Sequence, residues 1–332
     1  MSQASPAKDR CRAITSAGRR CRNHAVDQRG FCSVHAGPAR LNRPESSERR
    51  SPEAIFEEQM RKFTGFLRRR LQGDYEVDDF GYDPELTDEV FHPLAMALYH
   101  YYWRVTALGV ENVPAEGPAL IVANHSGTLP WDGIMLQFGL REEHPKRRHM
   151  RLVGANLVFE MPFISHLARK SGSAVAHQED TLRLLGQGEI VGVFPEGFKG
   201  VGKGWKERYR LQRFGRGGFV ETALKARVPI IPVSIVGAEE IYPMIANLKP
   251  LARMFGLPYF PVTPTFPALG PLGAIPLPSK WFIEFGTPIP TNPYEEGAEE
   301  DAMLVFDLTD RVRDTIQQMI NRNLAARRGV FR

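Results

Sequence analysis

Several features are scarce in or missing from this 332-residue sequence. No run of eighteen apolar residues occurs, which argues against a membrane-spanning helix, and the first residues lack the apolar core of a signal peptide. Cysteine is limited to three residues, all within the first 32, and an odd number does not suit a disulfide framework. We therefore expect a protein that stays in the cytoplasm.

Acidic residues are sparse near the N-terminus, so positive charge concentrates there. The first fifty residues hold eleven Lys and Arg against four Asp and Glu, whereas the rest of the chain has a slight excess of acids. The hydrophobic content of 42% is enough to build a full core. An anionic partner, either nucleic acid or lipid headgroups, is therefore expected only for the N-terminal tail.

Composition divides the chain into three parts. Residues 1–38 form a small basic block, and residues 39–90 hold a polar linker followed by an amphipathic helix with a basic end. In that helix the apolar residues recur at spacings of three and four, at Phe56, Met60, Phe63, Leu67 and Leu71. Residues 91–332 form the main domain.

The main domain alternates short apolar runs with helical segments. The runs predict buried strands at 119–123, 190–194, 230–236 and 281–285, and the segments predict helices near 131–139, 180–187, 217–226 and 299–323. This alternation predicts an α/β fold with a mixed, mostly parallel sheet and flanking helices.

Two further segments are apolar without a strand pattern. Residues 91–110 are crowded with aromatic and aliphatic side chains, which suits either a helix in a membrane interface or a helix packed on the core. Residues 257–278 contain seven prolines, so they can form neither a central strand nor a helix, yet they are too apolar for an ordinary solvated loop.

A histidine and an acid flank the turn after the first of these strands. His125 stands at the carboxyl end of the strand, the usual place for ligand chemistry in open α/β sheets, and Asp132 opens the next helix. A general base needs a pKa near neutrality and a partner that fixes its tautomer, which a carboxylate provides. Asp132 has an alternative role as a first-turn carboxylate favoured by the helix dipole.

Three motifs in a fixed order carry a resemblance to a known family. Asn124-His125 with Asp132 is followed by Phe194-Pro195-Glu196-Gly197 and then by Val228-Pro-Ile-Ile-Pro-Val233. From about residue 91 to 292 the sequence resembles the glycerolipid acyltransferases of the lysophosphatidate acyltransferase type, which have these motifs in this order. It is most similar to the bacterial branch related to monoacylglycerol and diacylglycerol acyltransferases.

The resemblance implies the glycerolipid-acyltransferase fold and an O-acyltransferase activity. A fatty acyl group would move from an acyl thioester, either acyl-CoA or acyl carrier protein, to a hydroxyl of a glycerolipid or lysophospholipid. His125 would be the general base and Asp132 its orienting partner, while the substrate would contact Asn124, Ser126, Gly127, Phe194, Pro195, Glu196, Gly197, Arg213 and Arg216. The two arginines would contact a phosphate or, alternatively, belong to a solvated helix face. Apart from the resemblance, we expect peripheral attachment to an anionic membrane surface, on its inner face, through the basic helix 53–71, the aromatic segment 91–105 and the proline-rich run 257–278.

The sequence departs from the family pattern in two places. The family spacing is His-x-x-x-x-Asp, whereas six residues separate His125 from Asp132, so the turn must differ. The family's second motif usually supplies an arginine for the acceptor's phosphate, and no clean match occurs around Lys170-Ser-Gly-Ser173. The resemblance therefore does not specify a phosphorylated acceptor.

Two alternative chemistries use residues of the same region. The segment from Gly197 to Lys203 fits the first seven positions of a phosphate-binding loop, but Gly204 stands where a Ser or Thr should coordinate magnesium. Ser126 beside His125 suggests a serine nucleophile, but the chain has no Gly-x-Ser-x-Gly elbow.

The N-terminal block predicts a structural zinc site formed by Cys11, Cys21, Cys32 and His35. Three thiolates and one imidazole make a closed tetrahedral ligand set, and in so small a block the metal would supply most of the folding energy. The spacing resembles the Cys-Cys-Cys-His module of plant WRC-type domains, in which a similar basic segment is linked to DNA binding. The alternative is three incidental reduced cysteines.

The zinc module adds a second function class to the sequence analysis. The chain would then be a nucleic-acid-binding or partner-binding protein with the acyltransferase domain as cargo. Salt-sensitive binding to DNA but not to anionic vesicles would indicate this class.

Overall fold

The computed structural model describes residues 52–332 except residue 128 and residues 161–163. The predicted zinc ligands and the first part of the linker lie outside the described residues. Residues Gly65–Arg332 form one compact unit, and the described residues before Gly65 belong to the first helix. None of the helices in the described ranges is both long and apolar enough to cross a membrane.

The described residues form a succession of helices and short strands. The helices are α1 (Pro52–Gln72), α2 (Pro84–Leu86), α3 (His92–Ala97), α4 (Trp131–Glu143), α5 (Asn156–Glu160), α6 (Ile164–Lys170), α7 (Gln178–Gly186), α8 (Phe198–Val201), α9 (Gly218–Ala226), α10 (Lys249–Met254) and α11 (Ala302–Ala326). The strands are β1 (Thr106–Leu108), β2 (Ala119–Ala123), β3 (Met150–Gly154), β4 (Ala174–Val175), β5 (Ile190–Val193), β6 (Ile230–Val236), β7 (Ala246–Asn247), β8 (Pro261–Val262) and β9 (Phe282–Phe285).

Seven strands form the main sheet, in the order β1-β9-β6-β2-β5-β3-β4. Every neighbouring pair is parallel except β6 with β9, which is antiparallel. This confirms the prediction of a mixed, mostly parallel sheet with flanking helices. Strand β2 lies between β5 and β6, so the loops that leave β2 and β5 emerge side by side at the carboxyl edge of the sheet.

Strand β2 shows how the sheet divides the core. Its residues are all fully buried, because a strand covered on both faces has apolar side chains throughout. Ala119, Ile121 and Ala123 pack in a cluster with residues of α3 and α4, whereas Leu120 and Val122 pack in a second cluster with residues of α7, α9 and α11. The strand period of two thus places an apolar layer on each side of the sheet.

The aromatic segment 91–110 is a helix only as far as Tyr102 and then continues into β1. Two π-helical turns, Thr87–Phe91 and Leu98–Tyr102, flank α3. The helix ends where Trp103 stacks on Trp281 at 4.8 Å and donates its indole N–H to the carbonyl of Leu277. The buried face of this segment is therefore packed on the core, which was one of the two alternatives for it. The other face exposes Leu94 and Tyr101.

The proline-rich segment 257–278 forms neither a central strand nor a long helix, as predicted. It contains β8, which pairs only with β7, and a 3₁₀ turn at Gly270–Ala274. The hydroxyls of Tyr102 and Tyr242 donate to the carbonyls of Pro276 and Ala274, which anchors the segment to the main unit. Its outer side remains apolar and exposed, at Leu257, Leu269, Leu272 and Ile275.

Candidate active site

The first site loop begins where Asn124 leaves strand β2. The side-chain amide of Asn124 donates to the carbonyl of Ile235 and accepts from the N–H of Ile235, at 2.9 and 2.7 Å. These bonds extend the pairing of β2 with β6 by one residue through a side chain. The predicted substrate residue Asn124 is fully buried, and it fixes the point at which the loop turns away from the sheet.

The structure brings His125 and Asp132 together despite the longer spacing. The distance from Nδ1 of His125 to Oδ2 of Asp132 is 2.6 Å. The same Oδ2 accepts the N–H of Ser126 at 2.8 Å, and Oδ1 accepts the N–H of Gly133 at 2.8 Å. An ionised Asp132 can only accept hydrogen bonds, so a neutral imidazole opposite it would carry its proton on Nδ1 and its lone pair on Nε2.

The rest of the first loop shapes the surroundings of the imidazole. The ring of His125 stacks on Phe194 at 4.5 Å between centroids, and its side chain is 19% exposed. Ser126 is buried, and its hydroxyl has no hydrogen-bond partner. Gly127 has a φ of +83°, which a residue with a side chain adopts only at a cost. The site therefore presents one accessible imidazole edge above a packed loop.

The second site loop leaves strand β5 and carries Phe194, Pro195, Glu196 and Gly197. The Glu196 side chain is fully buried, and both of its oxygens accept backbone N–H groups. Oε1 accepts from His125 at 2.9 Å and Oε2 accepts from Gln212 at 2.7 Å. Gly197 turns the chain with a φ of +52° and donates its N–H to the carbonyl of Phe194. In this structure Glu196 therefore holds the two loops together and presents no exposed oxygen to a substrate.

The lysine of the supposed phosphate-binding loop is buried. Nζ of Lys203 lies 2.8 Å from Oε1 of Glu239 and 3.4 Å from Oε2 of Glu196, and the preceding helix α8 has only four residues. In a phosphate-binding loop the lysine stands at the N-terminus of a helix, whereas the residues after Lys203 form only a three-residue 3₁₀ turn, Trp205–Glu207. The phosphate-binding-loop interpretation is therefore wrong for this segment.

A family model described as Acyltransferase matches residues 104–236, which include both site loops. An uncharacterized protein of Mycobacterium tuberculosis is 54% identical over 267 residues, which cover 80% of this chain and 75% of that protein. The chain belongs to the same family as this mycobacterial protein and carries an acyltransferase domain.

Two more distant similarities extend the comparison. The human protein named DGAT1/2-independent enzyme synthesizing storage lipids is 26% identical over 227 residues, covering 68% of this chain and 63% of that protein. The crystal structure of the 1-acyl-sn-glycerophosphate acyltransferase PlsC from Thermotoga maritima aligns with a TM-score of 0.49 and 18% identity. That alignment covers 74% of this chain and 82% of the other.

Arg213 and Arg216 line a second cavity of the acyltransferase domain. This cavity has a volume of about 180 Å³ and is bordered by α11, which contributes Phe306, Asp310 and Arg313. It shares no lining residue with the small cavity beside Gly127 and Lys203. The two arginines are exposed, so they are available to an anion.

Sequence reasoning missed part of the site. Lys203 and Gln212 contact Glu196 through an ion pair and a hydrogen bond, and Glu239 pairs with Lys203; none of the three was among the predicted site residues. One signal was present, because Glu239 and Glu240 follow strand β6 at the same carboxyl edge as His125. No group of three or more His, Cys, Asp or Glu gathers to hold a metal within the described ranges.

Proposed function

We propose that the acyltransferase domain transfers a fatty acyl group from an acyl thioester to the hydroxyl of a glycerolipid. The observation that carries the proposal is the hydrogen bond from His125 Nδ1 to Asp132. The pair lies at the carboxyl edge of the main sheet, within the residues that the acyltransferase family model matches. That bond leaves Nε2 available as a base on a side chain that is 19% exposed. No other histidine in the described part of the domain has a buried carboxylate on one ring nitrogen.

The proposed reaction needs one proton acceptor that becomes a proton donor. Nε2 of His125 takes the proton of the acceptor hydroxyl as the oxygen attacks the thioester carbonyl carbon. The tetrahedral intermediate then breaks its carbon–sulfur bond, and the leaving thiolate receives the proton from Nε2. Asp132 stabilises the imidazolium that forms between the two transfers. No covalent acyl-enzyme is required.

The acceptor and the acyl donor are each proposed as a class of molecule. The name of the human relative refers to storage lipids, which supports a monoacylglycerol or diacylglycerol as acceptor. A phosphate on a lysophospholipid acceptor or on acyl-CoA would be held by Arg213 and Arg216, whose cavity offers two exposed guanidiniums. Acyl-CoA and acyl carrier protein both remain as donors in this proposal.

A product assay tests the proposed function. Purified protein is incubated with labelled acyl-CoA or acyl carrier protein and a panel of acceptors: lysophosphatidate, monoacylglycerol, diacylglycerol and long-chain alcohols. We expect an ester product with at least one glycerolipid. Release of free fatty acid with no ester from any acceptor would instead indicate a thioesterase and would refute the transfer reaction.

We further propose that the protein binds the cytoplasmic face of an anionic membrane. In α1, Leu67 and Leu71 are exposed beside Arg68 and Arg69. From residue 241 to 283 the sequence contains no acidic residue, and this segment exposes large apolar side chains at Ile245, Leu248, Met254, Phe255, Leu257, Leu269, Leu272 and Ile275. Exposed apolar area together with basic charge is what an interfacial protein surface requires.

Replacing Phe255, Leu272 and Ile275 with serine should weaken binding to anionic vesicles by about tenfold or more. Burying each such side chain contributes about 1.5–3 kcal/mol, and 1.4 kcal/mol corresponds to tenfold in an equilibrium constant. The partition coefficient is measured by co-sedimentation at low salt. A variant with serine at the exposed residues Leu167 and Met303 is the control and should bind like the wild type. Equal loss in both variants would contradict the assignment of this surface.

We also propose that the N-terminal block holds one zinc ion through Cys11, Cys21, Cys32 and His35. Metal analysis of the purified protein should give about one zinc per chain, since a closed Cys₃His set is a structural site. The Cys21→Ser, Cys32→Ser double variant should lose the metal. His24→Ser removes an imidazole of the same block outside the proposed set, and this variant should keep it. Zinc retained by the double variant would eliminate the site.

A further inference from the structure

A buried ion cluster lies directly beneath the two loops of the site. Glu196, Lys203 and Glu239 have side chains that are at most 5% exposed. The ammonium of Lys203 contacts Glu239 Oε1 at 2.8 Å and Glu196 Oε2 at 3.4 Å, so one cation serves two carboxylates. Two buried carboxylates without a cation would repel each other, and an isolated buried charge is costly.

Each carboxylate of the cluster also holds backbone N–H groups from different parts of the chain. Glu196 accepts from His125 and Gln212, and Glu239 accepts from Tyr209 at 2.8 Å. The cluster therefore connects four segments: the loop after β2, the loop after β5, the segment 203–212 and the turn after β6. Its hydrogen bond to the proposed base is with the backbone N–H of His125.

We propose that Lys203 is a positioning residue for acyl transfer, which keeps Glu196 in place and thereby fixes the backbone of His125. This inference rests on the proposed function of His125 as base. The ammonium of Lys203 forms its hydrogen bond and ion pairs with Glu239 and Glu196, and with neither the imidazole nor Asp132, so it acts through Glu196. A displacement of about 1 Å at a reacting group can cost about a hundredfold in rate, so the position of the His125 backbone matters.

Close packing supports the same assignment. The α carbon of Gly200 is so placed that an added Cβ would lie 2.8 Å from Glu196 Cβ and 3.0 Å from His125 Cβ. The short helix α8, which leads to Lys203, therefore lies against both residues. A shift of Lys203 would be transmitted to His125 through this contact as well as through the Glu196 hydrogen bond.

The effect of removing Lys203 on activity should depend on pH. The pKa of Glu239 is raised to about 6. Burial is the largest cause and Glu196 adds to it, whereas Lys203 and the N–H of Tyr209 oppose it. The other charged groups nearby are Arg208, which lines the adjoining cavity, and the ion pair of Glu240 with Arg327. Removing the Lys203 ammonium raises the pKa of Glu239 further, because burial and Glu196 then act unopposed by a cation. As pH falls, a proton bound to Glu239 then compensates for the missing positive charge of Lys203.

The test compares Lys203→Met with three other variants in the acyl-transfer assay. We expect Lys203→Met to lower kcat by about ten- to a hundredfold while KM changes less than about threefold, since the substrate contacts are not altered. Lys203→Met combined with Glu239→Gln restores the net charge of the cluster and should recover most of the lost kcat. Glu239→Gln alone keeps the Lys203–Glu196 pair, but its amide NH₂ must face either the Lys203 ammonium or the Tyr209 N–H, so we expect a loss of kcat that is smaller than that of Lys203→Met. Lys199→Met changes an exposed lysine of α8, four residues before Lys203, and is the control.

Two further readouts distinguish positioning from a general loss of stability. The loss of kcat relative to wild type should be smaller at pH 6 than at pH 8, because the proton compensates the charge. Hydrogen exchange of the peptide containing His125 should be faster in Lys203→Met and should return toward wild type in the double variant. The exchange measurement does not need activity, and it applies even if Lys203→Met is too unstable to assay.

The outcomes separate this inference from the proposed function. If the wild type forms no ester with any acceptor, the proposed function fails, and the exchange data alone then report on the cluster. If the wild type is active but Lys203→Met matches Lys199→Met, the positioning role is wrong. It is also wrong if the double variant is as impaired as Lys203→Met, since charge compensation would then have no effect.

Discussion

Replacing His125 with alanine should reduce kcat for acyl transfer by about a hundred- to ten-thousandfold, the usual contribution of a positioned proton-transfer group. The side chain is partly exposed, with one hydrogen bond and one ring contact, so unfolding should change little. Turnover is measured with the donor and acceptor that give product in the panel assay, and thermal denaturation checks the fold. His166→Ala, which removes an exposed histidine of α6, should match the wild type in both measurements.

Ser126→Ala distinguishes the base mechanism from a serine nucleophile at the same loop. If the acceptor oxygen attacks the thioester directly, loss of the Ser126 hydroxyl should leave substantial activity. That hydroxyl is buried and has no hydrogen-bond partner. The hydrogen bond that Ser126 gives to the site comes from its backbone N–H, which donates to Asp132 and is kept in the alanine variant. An inactive Ser126→Ala enzyme with an acyl group trapped on wild-type Ser126, or full activity in His125→Ala, would overturn the mechanism.

The parts of the fold that could be predicted from sequence are those set by local patterns. Strand β2 was predicted at its observed bounds, because a fully apolar five-residue run between a glycine-proline turn and Asn124 has few alternatives. Strand β6 was predicted equally well from its apolar run. Helix α4 begins at Trp131 as expected, after Pro130. The His125 and Asp132 pair followed from these elements, since both residues stand at a predicted boundary.

What could not be predicted depends on contacts between distant segments. Residues 103–110 leave the helix because Trp103 stacks on Trp281, which is distant in sequence. The resemblance assigned Glu196 to the substrate, yet its two oxygens accept N–H groups from His125 and Gln212, which come from other segments of the chain. The ion cluster was missed for the same reason, since burial of Lys203 depends on Glu239 from a different loop.

Asp132→Asn should reduce kcat about a thousand- to ten-thousandfold while keeping the shape of the side chain. Asp132 uses both oxygens: Oδ2 faces the Nδ1–H of His125 and the N–H of Ser126, and Oδ1 faces the N–H of Gly133. Asparagine has one carbonyl oxygen, so one of these places must receive an amide NH₂. If the NH₂ faces His125, Nδ1 has to accept, the proton moves to Nε2, and no base remains. If it faces Gly133, two donors oppose each other and the turn is destabilised.

The Asp132→Asn result also decides between the catalytic role and the helix-dipole alternative. A carboxylate that only complements the dipole contributes about 0.3–1 kcal/mol to stability and nothing to turnover. Asp180, a first-turn acid of α7, has that position without a histidine partner, so Asp180→Asn is the matched control and should keep wild-type kcat. Asp132→Asn should instead lose kcat far beyond any loss of thermal stability, and the ¹⁵N shifts of the His125 ring should report the proton on Nε2. An Asp132→Asn enzyme within about tenfold of wild type, with Nδ1 still protonated, would show that Asp132 does not set the tautomer and that the base is oriented by another group.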